Sequence, residues 1–206
     1  MKMTDAAFRD TESQSVSSDS SYLPELDDSS EEELTQSQEF GCPISPLPAP
    51  DRNSLSYLIA LDYVKHRLDR AGLYWPLGLP EPSELPINPA MARMRSLGLE
   101  FEERYDAVFD NMLASLEISP NRLYPIFMGV ANELFKDDVV GWGRIVGLYA
   151  FGGLLAVESM RRNFPHLVAN ILNWIASYID NNLVEFMSAS GGWVGRFLLV
   201  FIVHKV

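Results

Sequence analysis

The residue types that do chemistry on a substrate are scattered in this chain. Its three histidines, His66, His166 and His204, stand far apart, with none of the short spacings that gather metal ligands. Cys42, the single cysteine, sits in the Pro-rich run CPISPLPAP, where no neighbouring base would activate its thiol. There is no Gly-x-Ser-x-Gly nucleophile turn. The Gly152–Gly153 pair lies inside an apolar run, without the Lys-Ser/Thr that completes a phosphate loop. The pattern argues against an enzyme and calls for no metal, cofactor or small-molecule substrate. It leaves recognition chemistry. Arg144 stands just ahead of an uncharged run, and its guanidinium fork can take a carboxylate bidentately. An Arg at a helix N-terminus opposes the helix dipole, which hints that something else keeps it there. Read by periodicity alone, Arg144 is better taken as a solvated helix-end residue, and Phe101 and Tyr105 as ordinary core.

The elements that position these residues are helical from Asp51 onward. Asp51 or Ser54 can cap a first helix, with Tyr57, Leu61, Val64 and Leu68 on one face and Gly72 as its stop. Residues 73–89 hold five prolines and read as an irregular loop. A second amphipathic helix carries Met94, Leu97, Phe101, Tyr105, Val108 and Met112 on one face, with Pro120 as its far limit. A shorter helix is expected from about Tyr124 to Phe135, since Pro125 is tolerated in a first turn. Ile145 to Val157 is thirteen residues without a charge, IVGLYAFGGLLAV. A helix apolar all round must be enclosed, and this one is too short to cross a bilayer. It is therefore expected at the centre of a bundle. A helix over about Phe164–Met187 carries Leu167, Ile171, Trp174, Tyr178 and Leu183; Gly191 and Gly192 then break the chain before a last apolar helix near Trp193. The fold class is all-α, one apolar helix surrounded by amphipathic ones.

Charge divides the chain in two. Of the formal net charge of -12, residues 1–50 account for -9, with eleven Asp or Glu against Lys2 and Arg9. That Ser-, acid- and Pro-rich segment reads as a disordered tail, too poor in apolar surface to offset its ordering entropy. Its SVSSDSS and DDSSEEE patches suit an acidophilic kinase or simply a solvated tail. The organisation expected is a tail over 1–50 and one helical domain over 51–206. With no basic stripe, nucleic acid is not an expected partner. One cysteine, no glycosylation sequon and no leader-like apolar run point to an intracellular protein. The apolar run Phe197–Val203 is too short to span a membrane.

Four blocks then carry a family resemblance. ELFKDDVVGWGRIVGLYAFGGLLAVESM, Glu133 to Met160, resembles the first homology region of the Bcl-2 family, and ILNWIASYIDNNLVEFMSASGGW, Ile171 to Trp193, its second. MRSLGLEFEERY, Met94 to Tyr105, resembles the third region, and YVKHRLDRAGLYW, Tyr63 to Trp75, the fourth region of pro-survival members. Three departures stand out. Gly141 replaces the usual Asn before Trp-Gly-Arg, Leu99 replaces the Asp after the Gly of the third region, and Val194 follows Trp193 in place of an acid; a run of the length expected for the family's membrane anchor does not occur within these 206 residues.

The resemblance implies a Bcl-2-like bundle whose surface groove takes up an amphipathic helix. It makes Phe101, Tyr105, Val108, Leu134 and Phe151 walls and floor, counts Glu133, Gly141 and Gly143 among the groove residues, and makes Arg144 the anchor for a partner Asp. It implies pro-apoptotic helix-donating partners of the same family, and residence in the cytosol or at the mitochondrial outer membrane, with peripheral contact there or at the endoplasmic reticulum. Two roles stay open. A pro-survival regulator would sequester death-promoting helices; a Bak- or Bax-like executioner would oligomerise and perforate the mitochondrial outer membrane. The fourth-region helix favours the first, and Leu99 removes the acid an executioner's donated helix would offer a neighbour's Arg144.

Overall fold

A computed structural model describes residues 47–82, 88–137, 139–195 and 197. Its helices are α1 (Leu55–Arg70), α2 (Pro89–Ser115), α3 (Leu123–Phe135), α4 (Trp142–Arg161), α5 (His166–Asn182) and α6 (Val184–Ala189), followed by a 3-10 turn at Gly192–Val194. The expected tail, as far as residue 46, and nearly all of the expected last helix lie outside the described residues. Among the described residues the fold is all-α, and none of its helices is long and apolar enough to cross a membrane.

The ends of α1 follow from local chemistry. Ser54 takes an extended conformation and its side chain accepts from the backbone N–H of Tyr57 at 3.2 Å. At the other end Gly72 adopts φ +68°, which lets its N–H reach Asp69 O and lets Leu73 N reach Leu68 O. Tyr57, Leu61, Val64 and Leu68 are all buried. Pro89 opens α2 beneath an Asn88 cap.

The uncharged run becomes the centre of the bundle. Sixteen of the twenty residues of α4 are buried, and the four that are not, Gly143, Arg144, Glu158 and Arg161, lie in its first and last turns. α4 touches α1, α2, α3 and α5. This leaves only its two ends able to present polar groups to solvent.

Three local features differ from the sequence expectation. α2 is kinked at Tyr105 (φ −115°, ψ 20°). Before the kink Met91, Met94, Leu97, Gly98 and Glu102 are buried; after it the helix is packed only through half-buried Phe109, Met112 and Leu113. The single helix expected over 164–187 is divided at Leu183 (φ −115°, ψ 18°), whose buried side chain holds the corner between α5 and α6.

Thirdly, the end of the expected tail is part of the bundle. The Leu47 N–H donates to Tyr124 Oη at 2.9 Å and Ser177 Oγ donates to Pro48 O at 2.7 Å. A chain beginning at residue 51 is therefore expected to be about 1–2 kcal/mol less stable than one beginning at 47, from two hydrogen bonds at about 1 kcal/mol each. Urea unfolding of the two truncations measures the difference; equal midpoints and slopes would show that the strap contributes nothing.

Candidate functional site

α2 is clamped to α1 through ion pairs on its inner side. Arg95 Nη1 meets Asp62 Oδ1 at 2.5 Å. Glu102, with its side chain 10 % exposed, receives Arg67 Nη1 at 2.8 Å, Arg70 Nη1 at 3.3 Å and the Tyr63 hydroxyl. Burial pushes the Glu102 carboxyl pKa up against the opposing pull of Tyr63, Arg67 and Arg70. With its inner side fixed, α2 turns Phe101 toward α4 and solvent.

Phe101 is half-buried against α4 at Gly147. A Cβ on Gly147 would stand 3.1 Å from Phe101 Cζ, so the glycine is what lets the ring come this close to the central helix. Tyr105 stacks on the same ring at 4.6 Å between centroids, and Phe109 follows at 6.1 Å. Beyond Phe101 the apolar face enters solvent: Tyr105 is 41 % exposed and Val108 59 %. Beside the ring lies a cleft of about 120 Å³ lined by Leu97, Glu100, Phe101, Arg104, Gly143 and Val146. Gly143 has open space where a Cβ would be.

Arg144 follows Gly143, one of the cleft residues, in the first turn of α4. Its Nη1 donates to Leu134 O at 2.9 Å and to Asp137 Oδ1, and its Nη2 donates to Asp137 Oδ2 at 2.8 Å. The guanidinium holds the Asp137 carboxyl well below the usual carboxylate range, helped by the Val139 N–H on Oδ1. Here is the group that keeps an arginine against the helix dipole: an acid in the turn between α3 and α4.

The expected site residues are thus distributed unevenly. Phe101 and Gly143 share the cleft, Phe101 and Tyr105 touch, and Leu134 meets Arg144 through its carbonyl. Gly141, in extended conformation, caps α4. Glu133 is exposed and paired with Lys136, and Val108 stands in solvent past the kink. Phe151, expected in the walls or floor, is 1 % exposed and belongs to the core; in this conformation it offers no surface. Sequence reasoning missed Asp137 altogether, and it did not assign Glu100, Arg104 or Val146 to the site. No periodic signal marks Asp137: it lies just past the end of α3, seven residues before Arg144, in the turn that leads into α4.

The chain resembles known proteins over this region. Residues 94–193 match the family model described as apoptosis regulator proteins, Bcl-2 family. Rat Bcl-2-like protein 1 is 39% identical over 109 residues, 53% of this chain and 46% of that protein. Apoptosis regulator R1 of Xenopus laevis is 34% identical over 134 residues, 65% of this chain and 56% of that one. The chain spans about half the length of the curated relatives it matches. Among solved structures, Trichoplax adhaerens trBcl-2L2 bound to trBak BH3 superposes with a TM-score of 0.61 at 32% identity, covering 71% of this chain and 96% of that chain.

Proposed function

The chain belongs to the Bcl-2 family of apoptosis regulators, and from that premise we propose that it binds and sequesters death-promoting amphipathic (BH3-type) helices of pro-apoptotic partners, as a pro-survival member. The observation that carries this reading is the unfinished apolar surface around Phe101: Tyr105 and Val108 in solvent and an open cleft beside Gly143, the residue before Arg144 in the first turn of α4. Exposed apolar side chains at helical spacing cost solvation until a complementary helix covers them. The relationship to trBcl-2L2, whose structure holds a Bak BH3 helix, and to Bcl-2-like protein 1 supports the same reading. On it the action is binding and not catalysis, residues 51–206 with the docked strap from residue 47 form the working domain behind an acidic tail, and the place of action is the cytosol or the mitochondrial outer membrane surface.

Calorimetry against a BH3 helix with four spaced apolar residues and one Asp tests it. Arg144→Ala is expected to weaken binding roughly tenfold, the low end for a hydrogen bond to a charged group. That low end applies because Arg144 is a third exposed and screened by water. An unchanged dissociation constant would remove Arg144 from the site. The buried apolar α4 also fits an executioner that exposes it to lipid. Leakage of liposomes on adding an activating helix would establish that second role, and their remaining sealed is the result expected here.

A further inference from the structure

The anchor of the proposed groove is already engaged within the free chain. Asp137 takes the paired ends of the Arg144 fork, through Nη1 and through Nη2 at 2.8 Å, while the Leu134 carbonyl takes a further Nη1 proton at 2.9 Å. Asp137 is itself held in place, since its Oδ1 also accepts from the Val139 N–H at 3.2 Å. That local bond presets the carboxylate in a turn. The two side chains remain 33 % and 49 % exposed, so water reaches both and the pair can exchange.

We propose that Asp137 is an internal stand-in for the partner's carboxylate: the empty groove closes its own anchor, and an acid-bearing helix must displace Asp137 from Arg144. This deepens the groove reading above and rests on it. The consequence is a limit on selectivity. A partner carboxylate gains only the difference between its own pairing with Arg144 and that of Asp137. A partner lacking the acid leaves the internal pair untouched. Asp137 therefore reduces what the anchor adds to affinity and leaves more of the choice of partner to the apolar surface around Phe101.

A competing arrangement has the opposite sign. The Nε–H and the outer Nη2–H form a second fork, and a partner binding there would keep Asp137 as a support that orients the guanidinium. Charge favours displacement. Arg144 and Asp137 together are neutral, so an approaching carboxylate meets an attraction at contact distance and a repulsion only a few Å farther away. Glu133, on the last turn of α3, adds a second acid nearby in the chain, itself engaged by Lys136.

The test uses Asp137→Asn, which keeps the size of the side chain and an oxygen for the Val139 N–H but removes the charge. Wild type and variant are each titrated with the Asp-bearing BH3 helix and with its Asp→Ala version. The expected result is about tenfold tighter binding of the Asp helix to the variant, the scale of one charge-assisted bond no longer given up. The Ala helix should bind both proteins alike. Equal or weaker binding of the Asp helix to a variant that melts like wild type overturns the proposal and makes Asp137 a support. Failure of wild type to bind either helix is a different result: it overturns the groove reading itself, and this inference with it.

Discussion

Glu102→Ala is expected to cost about 3–5 kcal/mol of folding stability, the range for removing one partner of a buried ion pair. Arg67, its side chain 15 % exposed, has its Nη1 on Glu102 at 2.8 Å, and its buried Nε has no hydrogen-bond partner among the described residues. Without the carboxylate that guanidinium is left buried and uncompensated, and the Tyr63 hydroxyl loses its acceptor. Arg70, 40 % exposed, can turn to water and adds little. Glu102→Gln keeps an acceptor for Tyr63 and is expected to lose less than Ala does. The pH dependence follows from the raised pKa. A carboxyl that holds its proton to higher pH in the folded chain than in the unfolded one favours folding as pH falls through that range, so protonation of Glu102 does not itself drive unfolding in mild acid. Denaturant unfolding measures wild type and both variants; a loss below about 1 kcal/mol for Glu102→Ala would show that the network is incidental.

Gly98→Ala is expected to cost about 2–3 kcal/mol, the upper part of the overpacking range. Its Cβ would stand 2.6 Å from Tyr63 Oη and 2.7 Å from Cζ. The ring cannot back away. It is fully buried, its hydroxyl is held on Glu102, and Tyr149 meets it edge-on at 6.3 Å between centroids. Relief must come from lifting α2 off α1, which would also disturb Phe101 one turn along. Gly129→Ala in α3 is the control: a Cβ there meets nothing within 4 Å, and replacing a mid-helix glycine should add about 0.5–1 kcal/mol. If both substitutions shift the unfolding midpoint alike, the contact with Tyr63 is not what fixes α2.

The parts of the fold written in hydrophobic period were legible. α1 begins and ends at the Ser54 and Gly72 signals, and the uncharged run of α4 is the buried centre, because an all-round apolar helix has nowhere else to go. The breaks were not legible. Nothing around Tyr105 is a helix breaker, and the Met94-to-Met112 stripe runs through the kink unbroken. The corner at Leu183 has only the weak helix formers Asn181 and Asn182 before it. At the site, Phe101 and Tyr105 were legible as an apolar face, but its division into a packed part and a solvent-facing part depends on where α4 ends. Glu102 beside that face reads as a solvated acid until Arg67 is brought across from α1. Asp137 escaped notice because its partner lies on the far side of a turn, where no periodicity applies. Leu47 and Pro48 read as tail because a Pro-rich segment carries no helical or strand period to mark its docking.

The central claim is that the apolar face around Phe101 and the Arg144 edge receive a partner's helix. The direct measurement is a titration of isotope-labelled protein with the Asp-bearing BH3 helix, following backbone amides and the Arg144 Nε–H by NMR. The largest shifts are expected on Phe101, Tyr105, Val108, Gly143 and Arg144, with the Asp137 amide moving as its pair with Arg144 is disturbed. Shifts confined to the polar hollow between α3, α5 and α6, at Asn132, Asn181, Asn182 and Glu185, with Phe101 and Arg144 unmoved, would contradict it.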